Sequence, residues 1–428
     1  MKILFVMYEL NNLGGIINFT EHLGVGFQEL GHTVDFVQLR WKENLINRTR
    51  EANMSKYMQG FIYPYDQENW FFPNEKRLPY KGDVNIKKWK LFASKFDLVI
   101  WLVPVPTMQK QNKGNTDWIE LYNIPVKQIC IVHDGNLVRS YPHICELEGL
   151  ITGIVGVHPC GYNSALCGIP RTMIFNPQYI PEDSRVPSYE SRKKGFVSLQ
   201  TFKRWKRVDD LVRAVPFIDN DIKKLVIGFG MEYAYMTSKD KCKEEYKTES
   251  GEKIWDVALG YGMEHMHFIH PPQRDKLLRK YRTLIDSSWS KVYSQTGDHF
   301  NRVTIEAMIQ GAIPIARNLG VSDNLEGNGV IFKANKNYVM APWDATPKEY
   351  AEIINYANNM TSSEASGYMD AGFEVLEYFD RKWVAEQYIL FSQSKDCGFY
   401  NKIDVPKLSK KISDQSDKHM TQFFGFED

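Results

Sequence analysis

"MKILFVMYELNNLGGIINFTEHLGVGFQELGHTVDFV", residues 1–37, sets an apolar run, a glycine pair, a helical pattern and a second apolar run in immediate succession. Residues 2–7 are apolar and partly β-branched, as in a strand covered on both faces of a parallel sheet. Phe19, Leu23, Phe27 and Leu30 recur at three- and four-residue steps, which predicts an amphipathic helix over 17–30 closed by Gly31, with a strand over 33–37 after it. Gly14 and Gly15 at the strand-to-helix junction let the backbone pass close to a ligand. The N–H groups of the helix start favour an anion there, so a phosphorylated ligand is the first expectation. The same pair can serve a βα turn alone: no Gly-Lys-Ser/Thr follows, and the spacing is not Gly-x-Gly-x-x-Gly.

A chain of 428 residues exceeds one ordinary core, so two domains are expected. A formal net charge of +1 argues against bulk electrostatic coating of nucleic acid and leaves a local basic face open. With neither a signal peptide nor a run long enough to cross a membrane, a cytoplasmic protein with no membrane partner is expected. The six cysteines are widely spaced with no Cys-x-x-Cys pair, so free thiols are expected rather than a zinc knuckle or a disulfide framework.

Further strand-like runs at 98–103, 128–133, 154–157 and 171–175 alternate with helical patterns, which implies an α/β fold with a doubly wound parallel sheet. A polar, aromatic-rich insert lies between 40 and 95, and the proline-bearing stretch after 176 reads as an interdomain linker. A second series then begins: strands at 195–199, 224–228, 267–270, 284–287 and 313–316, with helices at 208–217, 274–281 and 303–310.

Two clusters in the second half carry chemistry. "SLQTFKRWKRVDDLVRAV" sets Lys203, Arg204, Lys206 and Arg207 around Trp205, between a strand and a helix. Cations at the carboxyl edge of a parallel sheet can neutralise a diphosphate leaving group, although a solvated basic turn has the same composition. "GDHFNRVTIEAMIQGAIPIARNLG" places Asp298 and Glu306 around a helix start near Val303. A carboxylate on the first turn can accept bonds from the vicinal hydroxyls of a ribose, or merely complement the helix dipole. Asp219-Asn220-Asp221 has an Asp-x-Asp metal spacing but sits in a polar turn. His265, His267 and His270 straddle one predicted strand with no acid nearby, so packing is favoured over metal binding and no metal site is assigned. The aromatic and basic residues around Trp70 and Lys76 suit a nucleic-acid surface no better than they suit lid or core packing.

Taken together, Gly14-Gly15, "ELGHTVDF", the basic turn ending in Lys206, Asp298-x7-Glu306-Ala-Met, Gly311-Ala-Ile-Pro and "FDRKWVAEQ" resemble a retaining GT-B glycosyltransferase of the broad nucleotide-sugar-using group four, over most of residues 1–395. "IVHDGNLVR", "MIFNPQYIP", Trp205-Lys206 and "EAMIQGAIPI" add a narrower resemblance, to the bacteriophage DNA α-glucosyltransferases that modify 5-hydroxymethylcytosine.

The resemblance implies two Rossmann-like domains facing across a cleft. Residues 1–177 would take the DNA acceptor, 178–194 would link, 195–378 would hold the nucleotide sugar, 379–395 would form a helix crossing back to the first domain, and 396–428 a charged tail. It makes Gly14 and Gly15 the loop facing the donor diphosphate, Lys203, Arg204 and Lys206 its cations, and Glu306 the ribose clamp, with Asp298, Asn301 and Arg302 also on the donor. His133 and Asp134 would face the sugar and the acceptor, and Arg139, Lys110 and Lys113 the DNA phosphates. Two positions depart from the pattern: Thr201 stands where the family usually has Arg, and Asp298 is one methylene shorter than the usual Glu, which leaves open whether the sugar is a hexose such as glucose or a pentose such as arabinose. The implied enzyme uses a UDP-sugar as donor, requires no cofactor, treats a divalent metal as optional, and acts as a monomer on hydroxymethylated double-stranded DNA in an infected host cell. A polysaccharide or lipid-linked glycan acceptor is the alternative.

Overall fold

β1 (Lys2–Met7) is the strand expected at 2–7, and Ile3, Leu4, Phe5 and Val6 are fully buried in it. A strand with no polar side needs cover on both faces, which the interior of a parallel sheet supplies. The computed structural model describes residues 1–7, 15–38, 62–63, 86–104, 118–133, 144–157, 168–181, 186–288, 302–317, 332–342 and 344–394. After β1 come α1 (Gly15–Glu29), β2 (Thr33–Gln38), β3 (Ile62–Tyr63), α2 (Ile86–Ala93), β4 (Leu98–Trp101), β5 (Lys127–Val132), β6 (Gly153–Gly156) and β7 (Arg171–Met173). They form an all-parallel sheet in the order β3-β2-β1-β4-β5-β6-β7, so the winding reverses between β1 and β4.

α1 buries Phe19, Leu23 and Phe27 along one face and ends as its sequence predicts. Gly31 takes φ +82°, its N–H donates to Gln28 O at 2.9 Å, and the N–H of His32 donates to Phe27 O at 3.0 Å. This paired closure relieves two orphan carbonyls and needs a residue without Cβ penalty. The insert expected between 40 and 95 contains a crossover helix: α2 buries Trp89, Phe92 and Ala93, and the indole N–H of Trp89 donates to Leu121 O at 2.7 Å. Most of the insert lies outside the described residues.

The second unit contains β8 (Lys193–Leu199), α3 (Val208–Ala214), β9 (Lys223–Ile227), α4 (Met231–Thr237), α5 (Ile254–Gly260), β10 (Met263–Met266), α6 (Pro271–Lys280), β11 (Tyr281–Asp286), α7 (Arg302–Ile309), β12 (Ile313–Ala316), β13 (Val339–Met340), α8 (Pro347–Asn358) and α9 (Ser362–Glu374). Its parallel sheet runs β10-β9-β8-β11-β12-β13, with the reversal between β8 and β11. The strand expected at 267–270 forms instead at Met263–Met266, where Met263 faces the core and pairs with Lys224. Phe268 and Ile269 are the more apolar pair, but His270 caps α6 and Pro271 and Pro272 open it, so this pair is taken up in the connection to the helix.

The chain divides into two compact units, Met1–Tyr179 with a segment beginning at Tyr378, and Ile180–Glu377. The stretch 178–194, expected as a polar linker, is partly built into the second unit. Tyr189 and Arg192 are each 3% exposed, Tyr189 donates to Ala357 O at 2.7 Å, and Arg192 donates to Leu278 O at 2.8 Å and Gln310 O at 2.6 Å. Arg192 thereby satisfies carbonyls at the ends of α6 and α7, which water would otherwise have to serve. Where the chain returns, the N–H of Gln178 donates to Phe379 O at 2.6 Å and the N–H of Arg381 donates to Gln178 O at 2.8 Å.

α10 (Arg381–Ser394) belongs to the first unit and lies on α1, burying Val384, Ala385, Tyr388 and Phe391. The approach is close enough that a Cβ on Gly26 would stand 2.1 Å from Arg381 O, so a side chain there must push the two helices apart. Gly26→Ala is expected to lower stability by about 2 kcal/mol in thermal unfolding of the whole chain. Gly367→Ala in α9, where an added Cβ meets nothing within 4 Å, is expected to raise it by about 0.5–1 kcal/mol.

Candidate functional site

In an open parallel sheet, ligands bind beyond the carboxyl ends of the strands where the winding reverses. In the second unit that point lies between β8 and β11, and the sequence there turns polar: β8 is followed by Gln200, and β11 ends in Asp286 and is followed by Ser287 and Ser288. All four are buried, and hydrogen bonds join them into one cluster. The Gln200 amide nitrogen lies 3.1 Å from Ser198 Oγ, 3.0 Å from Ser287 Oγ and 3.3 Å from Ile285 O, sharing its two protons among them, and its Oε1 lies 3.2 Å from Ser288 Oγ, whose single proton goes to Asp286. Asp286 Oδ1 accepts from the N–H of Ser288 at 3.1 Å and from its hydroxyl, while Oδ2 lies 3.5 Å from the Thr304 hydroxyl on α7. Gly228 lets the end of β9 pass this cluster, because at φ +149° a Cβ would fall 1.7 Å from Gln200 O.

The basic turn is fastened to the cluster. Arg204–Lys206 form a 3₁₀ turn, and Ser287 Oγ donates to Lys206 O at 2.8 Å. Arg207 follows in the left-handed region at φ 47°, held by Asp210 at 2.6 Å and Asp209 at 3.7 Å. Within the turn Lys203 and Arg204 are exposed, while Lys206 is 9% exposed. Burial pushes the Lys206 ammonium down to about 8, opposed by the charge of Asp286. Arg204 and Arg207 also border a cavity of about 260 Å³ with Asp209, Arg213, Glu245 and Tyr246. Burial raises the Asp209 carboxyl there to about 6.

α7 begins at Arg302, so Glu306 stands in its second turn, not the first turn expected. That placement weakens the dipole reading, since the effect fades beyond the first turn. Glu306 Oε1 pairs with Arg274 Nη1 at 2.7 Å and lies 3.8 Å from Arg302 Nη2. Arg274 comes from α6, 32 residues earlier in sequence, and burial works against its charge while Glu306 favours it. Thr201 is exposed just past β8.

The structure thus brings Lys203, Arg204, Lys206, Arg302 and Glu306 to the carboxyl edge of one sheet. Gln200, Asp286, Ser287, Ser288, Thr304 and Arg274, which the sequence reading did not single out, support them. In the first unit, Gly15 is the first residue of α1, and half-buried His133 follows β5 with its ring 4.9 Å from that of Phe19 at 88°. Gly14, Asp134, Asp298, Asn301, Arg139, Lys110 and Lys113 lie outside the described residues.

The remaining motifs have local partners. Asp221 pairs with Lys194 at 2.8 Å, and Asp219 takes bonds from Asn355. His265 bonds Gly228 O at 2.8 Å and stacks on Tyr233 at 4.8 Å, with burial lowering its basicity. Cys130 is buried, Cys145 and Cys242 half-buried, and all three are free thiols. Among the described residues no helix is long and apolar enough to cross a membrane. In a double-mutant cycle, Arg274→Ala and Glu306→Ala are expected to show a coupling of about 1–2 kcal/mol in urea unfolding, since both partners are largely withdrawn from water.

No protein-family model and no curated protein sequence matches the chain. Solved structures do. HepE of Anabaena, in complex with UDP and glucose, superposes with a TM-score of 0.63 at 13% identity, covering 91% of this chain and 98% of that one. A point mutant of S. aureus TarM, in complex with fondaparinux, α-GlcNAc-glycerol and UDP, gives 0.59 at 14% identity, covering 92% and 100%. An α-glucosyltransferase in complex with UDP-glucose and DNA containing an abasic site gives 0.59 at 12% identity, covering 92% and 99%. Across nearly its whole length the chain has the GT-B fold of these glycosyltransferases, two Rossmann-like units each built on a parallel sheet.

Proposed function

We propose that the protein is a glycosyltransferase that moves a sugar from a UDP-sugar to the hydroxymethyl group of 5-hydroxymethylcytosine, or a related hydroxylated pyrimidine, in phage DNA. The observation that carries the first half is the buried Lys206, with Lys203 and Arg204 on the same turn, at the winding reversal of the second sheet. That is where a diphosphate can meet cations fixed before it arrives.

In this reading Lys206 and the two exposed cations stabilise the charge that develops on the diphosphate as the bond between the anomeric carbon and the UDP oxygen breaks. Glu306, steadied by Arg274, offers its second oxygen to the ribose hydroxyls. The acceptor hydroxyl oxygen bonds to the anomeric carbon on the face the diphosphate leaves, and its proton passes to the departing phosphate, so configuration is retained. The resemblance further assigns Gly14 and Gly15 to the diphosphate, His133 to the sugar and Asp134 to the acceptor. Protein cations suffice to balance the leaving group, and a divalent ion is optional.

The DNA acceptor rests on "IVHDGNLVR", "MIFNPQYIP" and "EAMIQGAIPI" and on the likeness to the α-glucosyltransferase solved with DNA. A hydroxymethyl group on cytosine points into the major groove, so the enzyme must enter that groove or turn the nucleotide out. Either route needs phosphate contacts, for which Arg139, Lys110 and Lys113 are the candidates. A glycan acceptor is the second reading, favoured by a likeness to HepE and TarM that is no weaker than the likeness to the DNA-bound enzyme.

Nucleoside mass spectrometry of hydroxymethylcytosine duplex DNA, incubated with the protein and single UDP-sugars, is expected to show the gain of one sugar residue, with unmodified DNA unchanged. The increment reads hexose or pentose directly. No gain with any donor, alongside UDP binding, would move the assignment to a glycan. DNA affinity is expected to fall steeply as salt rises, and an affinity flat across salt counts against the DNA acceptor. Glu306→Ala is expected to lower turnover at least tenfold, mainly through weaker donor binding in titration calorimetry.

A further inference from the structure

We propose that the second unit carries a separate site for a small phosphate anion, in the cavity between the basic turn, α3 and the segment that joins α4 to α5. The inference does not rest on the nucleotide-sugar reading: none of the residues lining this cavity comes from β11 or α7, which carry the rest of the donor site.

The cavity encloses about 260 Å³. Arg204 and Arg207 border it from the turn, Asp209, Asp210 and Arg213 from α3, and Glu245 and Tyr246 from residues 238–253. That last segment is fastened on three sides. Arg213 donates to Glu245 O, the buried Tyr246 donates its phenol proton to Glu232 of α4, and the Lys243 ammonium lies 4.1 Å over the ring of Tyr235. The wall is therefore a built surface that unites three elements, and its acids do not make a cation site: among the described residues no three His, Cys, Asp or Glu side chains converge to hold a metal ion.

The sign of the ligand follows from how the lining charges are already engaged. Asp210 is held by Arg207 at 2.6 Å and also by Arg317, and Glu245 pairs with Lys243 at 3.5 Å. Asp209 has Arg207 at 3.7 Å. Arg213 is the opposite case: its guanidinium meets a main-chain carbonyl, and among the described residues it closes no ion pair. A guanidinium carries five donors in a rigid fork, of which one carbonyl takes only a part, so half-buried Arg213 keeps donors and a positive charge for an occupant. Arg204 and Arg207 border the same space, and a phosphate has the charge and the acceptor oxygens that such forks match. No aliphatic side chain lines the cavity, which disfavours an apolar ligand. Its volume lies just under the range of about 300–1,000 Å³ usual for ligand pockets, which suits inorganic phosphate or a small phosphate ester. Asp209 opposes an anion by charge but accepts from a hydroxyl, so a sugar phosphate matches the wall better than the bare ion does.

The test is titration calorimetry of the full chain with inorganic phosphate and, separately, with glucose 1-phosphate, each in the presence of excess UDP. Binding is expected for both, tighter for glucose 1-phosphate, and the ranking of the two shows whether the free ion or an ester is the fitter occupant. Arg213→Gln is expected to weaken both about tenfold, through loss of a charge-assisted contact. Asp209→Asn, which removes a lining carboxylate charge and keeps the shape of the side chain, is expected to tighten inorganic phosphate several-fold. A gain in affinity does not come from mere damage to the fold, so this variant decides the matter if Arg213→Gln does not fold. Absence of binding by either probe, or affinities unmoved in both variants, overturns the proposal. So does phosphate binding that appears only when UDP is left out, since it puts the anion in the donor site. Failure of the unaltered protein to bind UDP counts against the nucleotide-sugar reading alone, because the phosphate titrations and the two variants still decide this proposal.

Discussion

The side-chain amide of Gln200 ties together the ends of the two strands between which the second sheet reverses its winding. It reaches Ser198 on its own strand, Ile285 and Ser287 on the neighbouring one, and Ser288 beyond. A buried network of this kind stabilises only when each member is satisfied, and here the donors and acceptors meet without a charge left facing apolar surroundings. From that knot the constraints spread outward. Ser287 reaches the backbone of the basic turn, Asp286 meets Thr304 of α7, and α7 carries Glu306 to Arg274. The site is therefore a continuation of the sheet, and the positions of its cations follow from strand register.

The two units solve the same problem with different side chains. In each, the middle of the central strands is largely apolar, so polarity gathers where the strand ends, and that boundary is the carboxyl edge on which ligands of parallel sheets rest. In the first unit the edge receives Gly15 at the start of α1 and His133 after β5. In the second it receives hydroxyls, an amide and a half-buried ion pair. Glycines are used where backbones must nearly touch: Gly228 against Gln200 in the second unit, Gly26 against Arg381 in the first. The latter approach seats α10 on α1, and Phe391 of the same helix lies against Gly153 of β6, so a C-terminal helix is keyed into the N-terminal unit at two glycines.

Much of this was legible in residue order because burial in a parallel sheet writes itself as an uninterrupted apolar run. β1, β12 and the Gly31 closure of α1 could be read directly for that reason. β10 could not, because an edge strand buries few side chains, and Met263 alone of its four residues faces the core. α8 was overlooked although Thr346 and Glu349 have the spacing of a capping box, which they form. Tyr189 and Arg192 looked like linker residues because their partners, the carbonyls of Ala357, Leu278 and Gln310, lie far along the chain and carry no sequence signal.

The sequence by itself determined the α/β alternation, the two parallel sheets and the cations and carboxylate that stand at their edges, since each depends on local hydrophobic period and on turn residues next to it. Tertiary structure alone decided which of those cations is buried, that Glu306 stands in the second turn of its helix against Arg274, and that Ser287 holds the backbone of Lys206. The reason is electrostatic and distance-dependent: the state of a charged group is set by how much water it loses and by what faces it within a few ångströms. Those neighbours are assembled from strands and helices remote in sequence.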